Sequence, residues 1–125
     1  MPPRTPAPTV LVIDDDPGIR QLMTSFLKME GFVPVAAANG KEALACLRDG
    51  GAVDAILLDL RMPVMDGWTF RREQRRDPAI ADIPVVVLSG ADSERAAELA
   101  AAAWFDKPVS VPQVISVLRR LCENP

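Results

Sequence analysis

An α/β fold built on one doubly wound, five-stranded parallel sheet is predicted for this 125-residue chain by three observations. Short apolar runs alternate with helix-like segments five times along the sequence. The runs show no in/out alternation, which is the pattern of strands buried on both faces. Carboxylates and a lysine fall at the carboxyl ends of these runs, where open parallel sheets place their ligands.

The first eight residues carry Pro2, Pro3, Pro6 and Pro8, cannot form a helix, and read as a disordered or extended leader. The expected domain covers residues 9–123. Residues 10–13 read as the first strand. Asp16 followed by Pro17 is a helix start, with a capping carboxylate and proline at the first helical position. Ile19, Leu22, Met23, Phe26 and Leu27 then form an apolar stripe that Gly31 ends. The second strand is expected at 33–37. Asn39 with Glu42 resembles a capping box and opens a helix through Leu44 and Leu47 to Gly50-Gly51. The third strand is 55–58, after which Asp66 caps a weakly amphipathic helix over 67–76. The fourth strand is 85–88, and Asp92 opens an alanine-rich helix over 93–101. Trp104 and Phe105 form a weaker fifth strand. Ser110 with Gln113 opens the last helix, whose Val111, Val114, Ile115, Leu118 and Cys122 face inward. Right-handed crossovers between such units give helices on both sides of the sheet.

Composition narrows the chemistry. The length suits one domain with one core. A hydrophobic content of 49% with 25% charged residues is that of a globular chain. A net charge of −3 argues against nucleic acid as a direct partner. No apolar run reaches the length of a membrane span, and the N-terminus lacks a signal pattern. Cys46 and Cys122 share no motif and read as reduced core residues of a cytoplasmic protein. Without a single histidine, Ser-His and Cys-His nucleophile pairs and histidine metal sites are excluded.

Asp14 and Asp15 close the first strand, Asp59 closes the third, Ser89 the fourth, and Lys107 follows the fifth. An isolated carboxylate after a buried run would be costly. Converging carboxylates beside one lysine suit a divalent metal and a phosphoryl group. For Asp16 the helix cap is the better role, whereas a cap needs only one of the three acids and leaves Asp15 for a metal.

The runs Val12-Ile13-Asp14-Asp15-Asp16, Leu58-Asp59-Leu60-Arg61-Met62-Pro63-Val64-Met65-Asp66-Gly67, Leu88-Ser89-Gly90 and Asp106-Lys107-Pro108 together resemble the receiver domain of two-component response regulators. The resemblance implies a flavodoxin-like (βα)5 fold with strand order 2-1-3-4-5. It implies Asp59 as phosphoacceptor and Asp15 and Asp59 as direct Mg²⁺ ligands. Asp14 would act through water, and the Arg61 backbone carbonyl would complete the protein's share. Such hard oxygen donors suit Mg²⁺. Lys107 resembles the lysine that pairs with the acceptor and then with the phosphoryl oxygens, and its bond to Pro108 is often cis in the family. Ser89 resembles the hydroxyl that bonds the phosphoryl group, and Trp104 stands where the family usually has Tyr or Phe as a switching aromatic. Ala100 stands in place of the usual glycine before the fifth strand, and Arg61 and Ala91 occupy positions that influence phosphoryl lifetime.

The implied donor is a phosphohistidine on a sensor histidine kinase or a histidine phosphotransfer protein, docking around Ile19 to Met23. The surface of the fourth helix, fifth strand and fifth helix would serve a downstream protein target or a homodimer. Two other classes compete. A degenerate receiver would act only as a binding or dimerisation module, against which the intact Asp14, Asp15, Asp59, Ser89 and Lys107 argue. An aspartate-nucleophile phosphohydrolase wants a second carboxylate two residues after the nucleophile, where this chain has Arg61. Arg71, Arg72, Arg75 and Arg76 read as a solvated face of the third helix. The alanines 100–103 read as a compliant helical segment.

Overall fold

The computed structural model describes residues 7–90 and 97–123. Strands β1 (Thr9–Ile13), β2 (Val33–Ala37), β3 (Ala55–Asp59), β4 (Val85–Ser89) and β5 (Ala103–Asp106) form one sheet in the order β2-β1-β3-β4-β5. All four pairings are parallel. The described α-helices are α1 (Pro17–Met29), α2 (Gly40–Arg48), α3 (Gly67–Arg76) and α4 (Val111–Glu123).

Alternate residues of the central strands feed two cores. Leu11, Ile13, Ile56 and Leu58 pack with Leu44, Leu47 and Phe70 of α2 and α3. Val10, Val12, Leu57 and Val86 pack with Met23, Leu27, Val114 and Leu118 of α1 and α4. β3 and β4 are buried along their whole length, as their unbroken apolar runs imply. The outer strands differ from expectation. β2 buries only Ala37 fully, and β5 alternates between half-buried and exposed residues, because each is an edge of the sheet.

Local chemistry sets the helix starts. Asp16 accepts from the Gly18 and Ile19 amides at 2.8 and 3.2 Å. Asn39 accepts from Glu42 N at 2.9 Å, while the Glu42 carboxylate reaches back to Ala38 N at 3.2 Å. Asp66 accepts from Thr69 N at 2.8 Å. Gly31 and Gly50, just past α1 and α2, take φ of +90° and +88°. Of the α1 stripe, Met23 and Leu27 are buried, whereas Ile19 and Leu22 are exposed. Cys46 and Cys122 are free and pack against opposite cores.

Four expectations need revision or qualification. Residues 91–96 of the alanine-rich helix lie outside the described residues, and its described part is a single 3-10 turn, Ala97–Leu99. The alanines after it are not helical: Ala100 has φ +52°, Ala102 N donates to Val85 O at 2.9 Å, and Ala103 opens β5. Arg71 is not on a solvated face but is 7% exposed. Of the expected leader, residues 1–6 lie outside the described residues, and Pro8 O accepts from Val33 N at 2.8 Å.

Candidate metal and phosphoryl site

At the carboxyl end of the sheet, β1 hands over to Asp14 and Asp15 while the neighbouring β3 ends on Asp59. One ligand oxygen from each of these three carboxylates lies within 4.8 Å of the others. Asp14 is 4% exposed and Asp59 7%, whereas Asp15 is open to solvent. Asp14 is held by its own chain: its Oδ1 accepts from Asp16 N at 2.9 Å, and its backbone O accepts from Arg20 Nη1 at 2.7 Å. Burial raises the Asp14 carboxyl above its ordinary range, the Asp16 amide opposes this, and Asp59 adds to it.

Lys107 arrives from β5. Its backbone N donates to Ser89 O at 2.8 Å, continuing the β4–β5 ladder one residue past Asp106. Its Nζ then reaches Asp59 Oδ1 at 3.2 Å, with a side chain 36% exposed against 9% for Asp59. The Lys107–Pro108 peptide is cis. Three carboxylates facing one ammonium leave an excess of negative charge in a partly desolvated cleft. Clustered carboxylate oxygens are hard donors of the kind that suit a divalent cation such as Mg²⁺. Among the described residues, Lys107 Nζ engages Asp59 through Oδ1.

Ser89 ends β4 and is 1% exposed, one strand over from Asp59. Arg61 lies exposed two residues after Asp59. Trp104 pairs with Val87 in the sheet register and is 47% exposed, outside the carboxylate cluster.

Two backbone features frame the acceptor and carry only weak sequence signals. Gly67 N donates to Leu60 O at 2.9 Å, and a Cβ on Gly67 would lie 2.7 Å from Leu60 Cα and 2.8 Å from Asp59 O. Gly40 N donates to Met65 O at 3.0 Å, and a Cβ there would meet the Met65 side chain at 2.8 Å. The loop from Asp59 to Asp66 is thereby pinned by two helix starts. Glycine after a capping acid was the available signal for the first.

Comparison with known proteins places this geometry. The model of the response regulator receiver domain matches residues 10–119. The transcriptional regulatory protein AruR of Pseudomonas aeruginosa is 34% identical over 122 residues, covering 91% of this chain and 49% of that protein. The DNA-binding dual master transcriptional regulator RpaA of Synechocystis is 35% identical over 118 residues, covering 91% of this chain and 48% of that one. The chain thus spans about half the length of these relatives. Among solved structures, the Francisella response regulator 1452 receiver domain superposes with a TM-score of 0.84 at 29% identity, covering 93% of this chain and 97% of that one. The chemotaxis response regulator CheY4 of Vibrio cholerae gives 0.82 at 28% identity, covering 92% and 98%. The described helices are none of them long and apolar enough to cross a membrane. With its 2-1-3-4-5 sheet and its acidic cluster at the carboxyl end, this chain belongs to the response regulator receiver domain family.

Proposed function

We propose that residues 9–123 form a phosphorylation-switched receiver that takes a phosphoryl group onto Asp59 from a phosphohistidine of a sensor histidine kinase or phosphotransfer protein. The observation that carries this reading is Lys107 Nζ at 3.2 Å from Asp59 Oδ1, inside the cluster that Asp14 and Asp15 complete. Asp59 Oδ2 attacks phosphorus in line, the P–N bond of the donor breaks, and the released imidazole keeps the electron pair. The product is an acyl phosphate, and water later cleaves its P–O bond to restore the carboxylate. Mg²⁺ held by Asp14 (through water), Asp15, Asp59 and the Arg61 carbonyl would neutralise charge on the transferring oxygens when bound. Lys107 holds the acceptor before transfer and pairs with a phosphoryl oxygen after it. Ser89, buried at the end of β4, supplies a hydroxyl to the phosphoryl group.

Phosphorylation adds about −1.5 to −2 charge. That change biases the Ser89-Gly90 loop, Trp104 and the surface of β5 and α4, which would contact a downstream protein or a second copy. Ile19 and Leu22 stand exposed on α1, the helix that follows Asp14 and Asp15 in the chain, which supports kinase docking there. The activity is confined to the domain's own phosphorylation and dephosphorylation, in the cytoplasm.

The test is intact mass after incubation with Mg²⁺ and acetyl phosphate, beside Asp59→Asn and a chelator control. One phosphoryl adduct, lost in both controls, is expected. If no adduct forms with acetyl phosphate or with a panel of phosphorylated histidine kinases, and Mg²⁺ leaves tryptophan fluorescence unchanged, the chain is a binding module only.

A further inference from the structure

Arg71 is a buried cation that no described carboxylate neutralises. Its three kinds of N–H are instead spent on neutral oxygens: Nε to Leu99 O at 2.9 Å, Nη2 to Ala100 O at 3.0 Å, and Nη1 to Gln74 Oε1 at 2.8 Å. Gln74, fully buried, is fixed in turn by the carbonyls of Ile80 and Ile83 at 2.9 and 3.1 Å. A planar fork that grips two consecutive carbonyls constrains both position and orientation, which a point charge such as lysine does not.

The gripped turn needs holding. Ala100 sits at φ +52°, in the left-handed region that a residue with a Cβ disfavours. From there to the site the chain has no slack. Ala102 N bonds Val85 O, Ala103 to Asp106 pair with Val86 to Ser89 in unbroken register, and Lys107 N bonds Ser89 O. The other end of the connection is equally tight. Arg71 is one turn along α3 from Gly67, which is packed against Leu60 and the Asp59 carbonyl.

We propose that Arg71 is a positioning residue for phosphoryl transfer, a strut running from the acceptor loop through α3 to the Leu99-Ala100 turn that sets where β5 delivers Lys107 against Asp59. The proposal rests on the function proposed above. Its specific consequence is a coupling between Arg71 and Ala100. The clamp holds a conformation that alanine resists, and glycine at 100 would adopt that conformation unaided.

The experiment compares the wild-type chain with Arg71→Met, Ala100→Gly and the double variant, with Arg71→Lys as a milder change that keeps the cation. Amide exchange, the Lys107 side-chain NMR resonances and Asp59 phosphorylation by acetyl phosphate are followed in each. In Arg71→Met, exchange at residues 102–107 should rise roughly tenfold while β1 and β3 amides stay within about twofold. The Lys107 resonances should move toward those of a solvated lysine. Phosphorylation should slow roughly tenfold with Mg²⁺ affinity changed by less than about twofold. Adding Ala100→Gly should restore most of each loss, and Arg71→Lys should fall between wild type and Arg71→Met. Exchange rising equally in every strand, or a double variant no better than Arg71→Met, would overturn the proposal. A wild-type chain that takes no phosphoryl group, while exchange and Lys107 respond as stated, would remove the proposed function and leave the strut standing.

Discussion

Asp14 concentrates the electrostatic tension of the site in one carboxylate. Burial raises its pKa first, and the charges of Asp59 and Asp15 push the same way, against the Asp16 amide and Lys107. In the unfolded chain the group titrates near 3.8, so between that value and its raised folded value the folded state binds more protons. The contribution of Asp14 to stability is therefore present at low pH and falls as pH rises through the window. At neutral pH its ionised form is destabilising. Asp14→Asn, which keeps the oxygen that accepts from Asp16 N, should stabilise the metal-free protein at pH 7 and lose that advantage below pH 3.8. In the water-bridged role proposed above for Asp14, the change should also weaken Mg²⁺ binding by roughly ten- to a hundredfold. Urea unfolding with chelator at both pH values, and a Mg²⁺ titration, check the pair of effects. A less stable variant at pH 7 would show that the carboxylate is wanted for structure. The acidic residues themselves were legible because each ends an apolar run. The left-handed Val64 and Ala100, at φ +68° and +52°, were not, since nothing in a valine or alanine announces a conformation that both disfavour.

Elements followed their local chemistry wherever that chemistry was local. Asp16, Asn39 and Asp66 cap α1, α2 and α3 as their spacing implies, because a side-chain oxygen and the amides it satisfies lie within three residues. What depended on neighbours was not legible. The apolar run of β2 looks like that of β3, but only the topology puts β2 at an edge with Val33 exposed. Four arginines in α3 look like one solvated face, yet Arg71 points at a turn 28 residues away, and its role is visible only once β5 is in place. Gly67 is where element packing touches the chemistry. A methyl there would sit 2.8 Å from Asp59 O and 2.7 Å from Leu60 Cα, both backbone atoms that cannot swing aside. Gly67→Ala should cost roughly 1–3 kcal/mol and slow Asp59 phosphorylation by shifting the acceptor loop. Gly51→Ala, whose new methyl would meet only Cys46 O at 3.7 Å, should stay within about 0.5 kcal/mol of wild type. Equal stability and rates for the two variants, by denaturation and intact-mass kinetics, would show that the loop is free to move away from α3.

At the scale of the whole molecule, stability and site chemistry pull against each other across one sheet. β1, β3 and β4 are buried between two cores, and this rigid centre carries Asp14 and Asp59 at its carboxyl end. The partners of those acids come from less protected places: Asp15 is open to solvent, and Lys107 follows an edge strand. Repulsion among the three carboxylates is thus held in place by the core and only partly offset by one lysine. A divalent cation that binds the folded cluster and not the unfolded chain must then raise stability by mass action, by about 2.7 kcal/mol at a concentration a hundred times its Kd. Thermal unfolding should accordingly move upward with the logarithm of Mg²⁺ concentration. The shift should shrink strongly in Asp15→Asn, which removes one carboxylate of the cluster, a ligand in the function proposed above, yet spares the Asp16 cap and the cores. Sodium chloride at matched ionic strength separates site binding from simple screening of surface charge, since screening needs no particular carboxylate. If salt and Mg²⁺ shifted the transition equally, or Asp15→Asn kept the full Mg²⁺ effect, the cluster would be an acidic surface and the metal role assigned to it would fall.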